Sequence, residues 1–486
     1  MFIHPRSIWM VLAGMIIGAS QLSCKKMLTV PEPVNGITTT EVFNFDAQGA
    51  SAMAGVYNQM INGSLSFSNG AVTILTGMSS DESFYYGTTT DLNITAFAPN
   101  QLLYNNSYTN TVWSSAYKTI YGANAVIEGV AASTAITLTD SARKELTGEA
   151  KFIRAFCYFY LTNLYGDVPL SLTVDFNVTR NITRTPVADV YKQIIQDLKD
   201  AQSLLPKDYS VASVATDRIM PNAWAATALL ARAYLYTGDY ANAAIQAGAV
   251  IGNTTLYNLE SNLNNVFLVG SKEAIWQLKQ GTADYNKNGT VEAFNVLPNP
   301  LLTGVAHYCM SAPLLNAFEP GDRRRKSWVD STTSAPVAGT FSYFPFKYKT
   351  GGYNAVAATA PTEYYMVLRL AEMYLVRAEA AANGATGGAA AAVADLNVIR
   401  SRAGLPALST SLSASQAVAA VAHERQVELF AEWGHRWLDL NRTGQAHAVL
   451  SAIAAKQPWT GDYQLLYPIP PTEIQVDRFL VQNPGY

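Results

Sequence analysis

The run from 223 to 250 constrains the fold of this chain more than any other stretch. Thr227, Leu230, Ala231 and Tyr234 recur at helical spacing, Gly238-Asp239-Tyr240 interrupts them, and Ala243, Ala247 and Val250 resume the pattern. A small residue where two helices touch, an aromatic wedge beside it and a small residue on the return helix make up the tetratricopeptide pattern. A second candidate pair covers 372–400, with helices over 373–382 and 389–399 and a turn over 384–388. One copy alone resembles any alanine-rich helical hairpin. A unit of this kind cannot bury its apolar face by itself, so it needs stacked neighbours.

The rest of the chain supplies them. Apolar spacing predicts helices over 47–61, 113–130 and 141–164, the last with Phe152, Phe156 and Phe159 in one stripe. Thr185-Pro186 reads as a cap followed by proline at the first helical position. Val190, Ile194 and Leu198 then line one face, and Pro206 stops the element. Helices are expected again over 364–402 and 413–433. Pro31 and Pro33 keep 25–45 extended. Residues 62–105, rich in Gly, Ser, Thr, Asn and Tyr, read as a long loop, and long loops inside compact proteins are usually functional. Residues 255–360 read as an irregular lobe. It has a short strand over 273–278 and an aromatic series of Trp328, Phe341, Tyr343, Phe344, Phe346 and Tyr348. The expected fold is mainly α: a tetratricopeptide-like scaffold of helical pairs carrying an irregular, loop-rich lobe.

The first residues describe export. His4 and Arg6 precede an apolar stretch over 8–17, then small and polar residues lead to Leu22-Ser23-Cys24. That order is a signal peptide, 1–23, and the stretch is too short to cross a bilayer of about 30 Å. Cys24 suits lipid attachment, which adds membrane affinity with each buried CH₂. The plainer alternative is cleavage after Ala19 or Ser20. The mature chain then divides into a helical region over 24–250, with the 62–105 insertion, and a region over 251–486. The latter holds the lobe, helices over about 364–440 and an irregular tail.

Only 14% of the chain is charged and the net charge is −3, so nucleic acid is excluded as a partner for want of a basic face. Polarity comes instead from Asn, Thr, Ser and 27 tyrosines, which suit a neutral, hydroxyl-rich ligand. Sparse charge in an extracellular protein is the plain alternative. Cys157 reads as a small buried hydrophobe. A Cys157–Cys309 disulfide is permitted outside the cytoplasm but not expected.

Several segments in order then bring a family into view. They are Lys151-Phe152-Ile153-Arg154-Ala155-Phe156, Tyr165-Gly166-Asp167-Val168-Pro169-Leu170 and Leu230-Ala231-Arg232-Ala233-Tyr234-Leu235. Arg369-Leu370-Ala371-Glu372, Arg377-Ala378-Glu379-Ala380 and the run from Leu396 to Leu405 follow. Glu424-Arg425, Glu428, Arg436-Trp437-Leu438-Asp439-Leu440, Arg442, Tyr467-Pro468-Ile469-Pro470 and Gln482-Asn483-Pro484-Gly485-Tyr486 complete the set. The chain resembles the SusD/RagB family of outer-membrane nutrient-binding lipoproteins over almost its whole length. The resemblance implies a ligand-binding lobe built from insertions and display at the outer membrane, facing the exterior. It also implies a partner, a SusC-type TonB-dependent transporter that receives a captured glycan or peptide. Lys25-Lys26-Met27-Leu28 departs from the acidic residues that surface-displayed members often carry there, which leaves the membrane face open.

The resemblance places glycan contacts in the first insertion and the middle lobe. A sugar offers apolar C–H faces for ring stacking and a rim of hydroxyls for hydrogen bonds. Tyr85, Tyr86, Trp328 and Tyr343 are therefore the expected stacking residues, with Asp81 as a hydrogen-bonding residue; the alternative is that these rings pack the lobe's own core. Glu424, Arg425, Glu428, Arg436, Asp439 and Arg442 alternate in sign at helical spacing and read as a structural ion-pair network. Asp284-Tyr285-Asn286-Lys287-Asn288-Gly289 matches half a calcium loop, but Asn295 stands where the bidentate Glu belongs, so a polar turn without metal is expected. Arg323-Arg324-Arg325-Lys326 reads as a solvated or ion-paired turn, with an acidic sugar or a partner surface as the functional alternative. No metalloprotease, hydrolase-elbow, phosphate-loop or Cys-x-x-Cys signature occurs, and no cofactor is implied. The expectation is a non-catalytic glycan-binding protein. Its rivals are a peptide-binding member of the same family, a glycoside hydrolase and a pure protein-interaction module.

Overall fold

The computed structural model describes residues 41–486 apart from 62, 88, 211–216, 282–287, 301–303, 336 and 338. The export signal, Cys24 and the 284–287 part of the calcium-like loop lie outside the described residues. Eleven helices of eight residues or more carry the architecture: α1 Asp46–Ile61, α2 Ala71–Ser79, α3 Ser107–Ala132, α4 Asp140–Tyr165, α5 Val187–Leu204, α6 Ala223–Tyr236, α7 Tyr240–Ile251, α8 Leu370–Ala382, α9 Gly388–Ala403, α10 Ala414–Glu428 and α11 His435–Arg442. Among the described residues, eight short strands pair antiparallel in twos. β1 Ser83–Tyr85 pairs with β5 Tyr308–Met310, and β2 Val168–Pro169 with β3 Arg184–Thr185. β4 Ala274–Leu278 pairs with β8 Tyr365–Arg369, and β6 Val329–Thr332 with β7 Ser342–Pro345. No helix among the described residues is long and apolar enough to cross a membrane.

The helical pairs stack as the repeat pattern requires. α3 packs on α4, α4 on α5, α5 on α6, and the hairpin α6/α7 docks through α7 on the hairpin α8/α9. Ala231, Ala243 and Ala247 are buried where the α6/α7 helices meet, and Tyr234 wedges beside them. The α4 stripe builds the centre of the core. Phe152 and Phe156 meet Trp276 of β4 edge-on at 4.8 and 5.2 Å, and Phe156 meets Trp433 at 5.3 Å. Edge-on pairs of this kind are worth about 0.5–1.5 kcal/mol each beyond area burial.

Three sequence expectations change. The 62–105 stretch is not all loop, because α2 runs through it with all nine residues buried. A helix covered on every side has no apolar stripe, so periodicity misses it. Gly434 at the start of α11 sits against α2, where an added Cβ would lie 2.5 Å from Thr76 Oγ1, and its φ of +72° is a second reason for glycine there. Residues 365–369 form strand β8 rather than the first turn and a half of a helix. A short run buried on both faces looks alike as strand or helix. Pro186 occupies the N-cap of α5, and Asp167 Oδ1, not Thr185, accepts the Val187 N–H at 3.0 Å.

The ion-pair network is structural: Arg442 pairs with Asp439 three residues earlier on α11 at 2.8 Å, as the spacing implied, and most other pairs link separate elements. Arg324 reaches Asp322, Glu424 and Glu428, and Arg369 reaches Glu273, Glu428 and Glu432. Arg402 also contacts Glu273 and Glu428, while Arg425 pairs with Asp439 and Arg442 with Glu379. Three arginines around Glu428 hold its carboxyl well below the ordinary value against the opposing effect of burial. Cys157 and Cys309 are both buried and free.

Candidate functional site

β1 leaves the buried C-terminus of α2 and meets β5, more than two hundred residues away. Ser83 stands opposite Met310, Phe84 opposite Cys309 and Tyr85 opposite Tyr308. The pair is pinned at both ends. Ser311 N donates to Glu82 O at 2.8 Å, and Tyr86 N donates to His307 O at 2.6 Å. His307 Nδ1 returns a bond to Tyr86 O at 3.1 Å. This register stacks the Tyr85 ring on His307, centroids 5.5 Å apart and planes 16° apart. Tyr308 meets Tyr85 edge-on at 5.5 Å. Tyr85, Tyr86 and His307 stay half-buried.

A polar rim comes from the following loop and the first turn of α3. Asp91 caps the short helix Leu92–Thr95 by accepting from Asn93 N at 3.0 Å, and it also accepts the Tyr108 hydroxyl at 2.7 Å. Asn106 caps α3 through Tyr108 N and ties the loop down by donating to Asn93 O at 2.8 Å. Burial, then the bond to Asp91, pushes the Tyr108 phenol up to about 12. The Tyr108 hydroxyl in turn holds the Asp91 carboxyl below its ordinary value. Burial first, then Tyr108, Tyr85 and Asp91, raises the Tyr308 phenol. At neutral pH the cluster thus offers un-ionised phenols and one carboxylate acceptor beside a flat stacked ring. That is equipment for holding a hydroxyl-rich molecule. Leu92, Leu103 and Tyr104 on the same loop segment are exposed.

Of the residues expected from sequence, Tyr85 and Tyr86 lie on this platform. Tyr343 stands half-buried on β7, with the Arg325 guanidinium 4.5 Å from its ring centroid. The β6–β7 hairpin is tied to the lead-in of β5 by Thr332 Oγ1 donating to Gly304 O at 2.8 Å. Beside it, Phe344, Phe346, Asp330 and Tyr353 line a groove of about 210 Å³.

Trp328 and Asp81 do not fit the roles expected of them. Trp328 is fully buried, its Nε1 donating to Leu263 O at 2.9 Å and its ring packed against Phe267 and the Lys347 ammonium. No face of that ring is open to a sugar. Asp81 is buried in a bidentate pair with Arg436, both contacts at 2.7 Å, and it anchors β1 to α11. Behind the platform, Glu82 is buried with Oε1 unpartnered in the structure, and burial followed by the charge of Asp81 pushes its carboxyl up to about 8. Sequence reasoning missed Asp91, Tyr108, His307 and Tyr308. The Asp91 cap and the Asn106 cap were legible as turn chemistry; the β1–β5 pairing had no local signal.

Comparison with known proteins agrees with this architecture. A family model described as starch-binding, associating with outer membrane, matches residues 33–235, and the SusD family model matches 326–486. SusD-like protein P2 of Formosa agariphila is 26% identical over 426 residues, 78% of this chain and 81% of that protein. A solved structure described as a laminarin binding SusD-like protein shares 26% identity, with a TM-score of 0.75 over 91% of this chain and 100% of that one. Surface glycan-binding protein A from Bacteroides fluxus shares the fold, with a TM-score of 0.76 at 22% identity over 90% of this chain and 99% of that one.

Proposed function

The chain belongs to the SusD/RagB family, and from that premise we propose that it is a non-catalytic outer-membrane lipoprotein that captures an oligo- or polysaccharide on the Tyr85–His307 platform. Cys24 carries the lipid, the helical scaffold stands at the cell exterior, and the ligand passes to a SusC-type TonB-dependent transporter. The observation that carries the reading is the half-buried stack on a rigid strand pair, rimmed by Asp91 and Tyr108. Its likeness to a laminarin binding protein supports a glycan as the ligand class.

Binding of this kind uses a preformed site with a few placed polar groups. Tyr85 and Tyr86 contact a sugar face, and Asp91 accepts from its hydroxyls. Glycoside hydrolysis needs one carboxylic acid poised to donate a proton opposite a second carboxylate. Asp91 is held ionised by Tyr108, which makes it a poor proton donor. Titration calorimetry against a panel that includes laminarin tests the reading. Tyr85→Ala is expected to weaken the bound glycan about tenfold. Wild-type protein that binds no glycan, or that releases reducing ends from one, would sink the proposal. Recovery from membranes without a large barrel protein would count against the transporter step.

A further inference from the structure

A second groove, about 760 Å³, opens on the lobe between the 261–264 segment and the helix Arg323–Trp328. Arg323, Lys326 and Lys349 line it, together with Asn262, Asn264 and Phe346, and no carboxylate does. The basic run splits its charges. Arg324 is fully buried against three carboxylates, and Arg325 lies on the Tyr343 ring. Arg323 and Lys326 are exposed, three residues apart on one helix face, and neither has an ion pair among the described residues. Like charges at this spacing repel. A bound anion relieves that cost.

Arg323 and Lys349 are positioned by packing and hydrogen bonds. The Arg323 side chain lies across Gly404, where an added Cβ would come within 2.7 Å of its Nε. Gly404 ends α9 with φ of +78°, so glycine is suited to that backbone and leaves the arginine its seat. Lys349 Nζ donates to Ser327 O at 3.1 Å and Phe346 O at 3.0 Å, and lies 4.2 Å from the Phe346 centroid. An ammonium has three donors, so one remains. Glu363 and Asp330 act on Lys349 at longer range, and Glu363 is already engaged by the Lys349 and Thr350 N–H groups.

Phe346 also lines the neighbouring 210 Å³ groove with Phe344 and Tyr353. One ring therefore stands between an aromatic groove and a cationic one. We propose that the cationic groove is a subsite for an anionic substituent, a carboxylate or a sulfate ester, on a sugar chain held by this protein. The inference rests on the glycan reading above and adds the charge class of the ligand. The ring and side-chain amides beside the cations favour a sugar over an acidic protein segment.

Affinity electrophoresis and calorimetry of the full chain with polygalacturonate, dextran sulfate, laminarin and polyglutamate test it. The double variant Arg323→Gln/Lys326→Gln is expected to lose at least about tenfold in affinity for the acidic glycan that binds, with a shallower salt dependence. Laminarin binding should not change, and the charge-retaining pair Arg323→Lys/Lys326→Arg should recover most of the loss. Binding of polygalacturonate identifies the carboxylate, and binding of dextran sulfate the sulfate ester. Equal binding by wild type and double variant overturns the subsite, as does wild-type protein that binds neither acidic glycan, or polyglutamate alone. Failure of the platform shows separately, as unchanged laminarin binding in Tyr85→Ala.

Discussion

The helical scaffold, together with the buried side of the lobe, and the lobe's open face treat charges and aromatic rings in opposite ways. In the scaffold, Arg232, Arg369 and Arg425 are buried and answered by carboxylates, and Phe156 and Trp433 are closed in by other rings. In the lobe and the first insertion, Tyr85, His307 and Tyr343 stay half-buried, while Arg323 and Lys326 stand free of carboxylates. A buried charge must be paired, because the cost of stripping its water is otherwise unmet. A half-exposed ring or an unanswered cation has no such obligation to the fold. The difference separates residues that hold the molecule together from residues left available to a ligand.

The comparison breaks most visibly among the buried groups. Arg369→Met leaves three carboxylates, Glu273, Glu428 and Glu432, without their shared cation. Removing one partner of a buried pair costs about 3–5 kcal/mol, so urea unfolding should show a loss of that order or no folded protein. Trp328→Ala should cost a similar amount, about 3–5 kcal/mol, for a deleted core aromatic. If Trp328→Ala weakened glycan binding while melting like wild type, the division drawn here would be wrong.

Glu82 sharpens the comparison through pH. Its carboxyl ordinarily ionises near 4.5 and does so at about 8 in the folded protein, raised by burial and by Asp81. Between those values the folded state keeps a proton that the unfolded state has released, so stability falls as pH rises through the window. Glu82→Gln removes that slope. Above pH 8 the variant should be more stable than wild type by a few kcal/mol, and at pH 4 the two should match. Parallel melting curves at both pH values would contradict the assignment.

Smaller effects belong to the exposed set. Tyr85→Ala should cost about 1.4 kcal/mol in glycan affinity, tenfold, with a stability change within about 1 kcal/mol. Arg323→Gln/Lys326→Gln should leave the melting temperature unchanged, its effect confined to acidic glycans.

Much of the scaffold was legible beforehand. The α6/α7 and α8/α9 hairpins follow from alanine placement and turn residues, and the α4 stripe from phenylalanine spacing. Ser413 with Gln416 closes a capping box at the start of α10, near where the helix was expected. α2 and β8 escaped because each is covered on every side, which erases the period that marks an element. The site was legible only in part. Tyr85 and Tyr86 lie where an aromatic cluster in an insertion suggested, yet Trp328, from an equally aromatic stretch, fills the core.

What the sequence determined by itself is most of the scaffold helices and the two hairpins α6/α7 and α8/α9, because spacing, caps and turns act over a few residues. What only the tertiary structure decided is which rings and charges remain open. Strand β5 reaches β1 across the chain to bring His307 to Tyr85, and Arg323 parts company with Arg324 one residue later. Burial depends on everything that packs around a residue, and that information is spread over the whole chain rather than held in its neighbours.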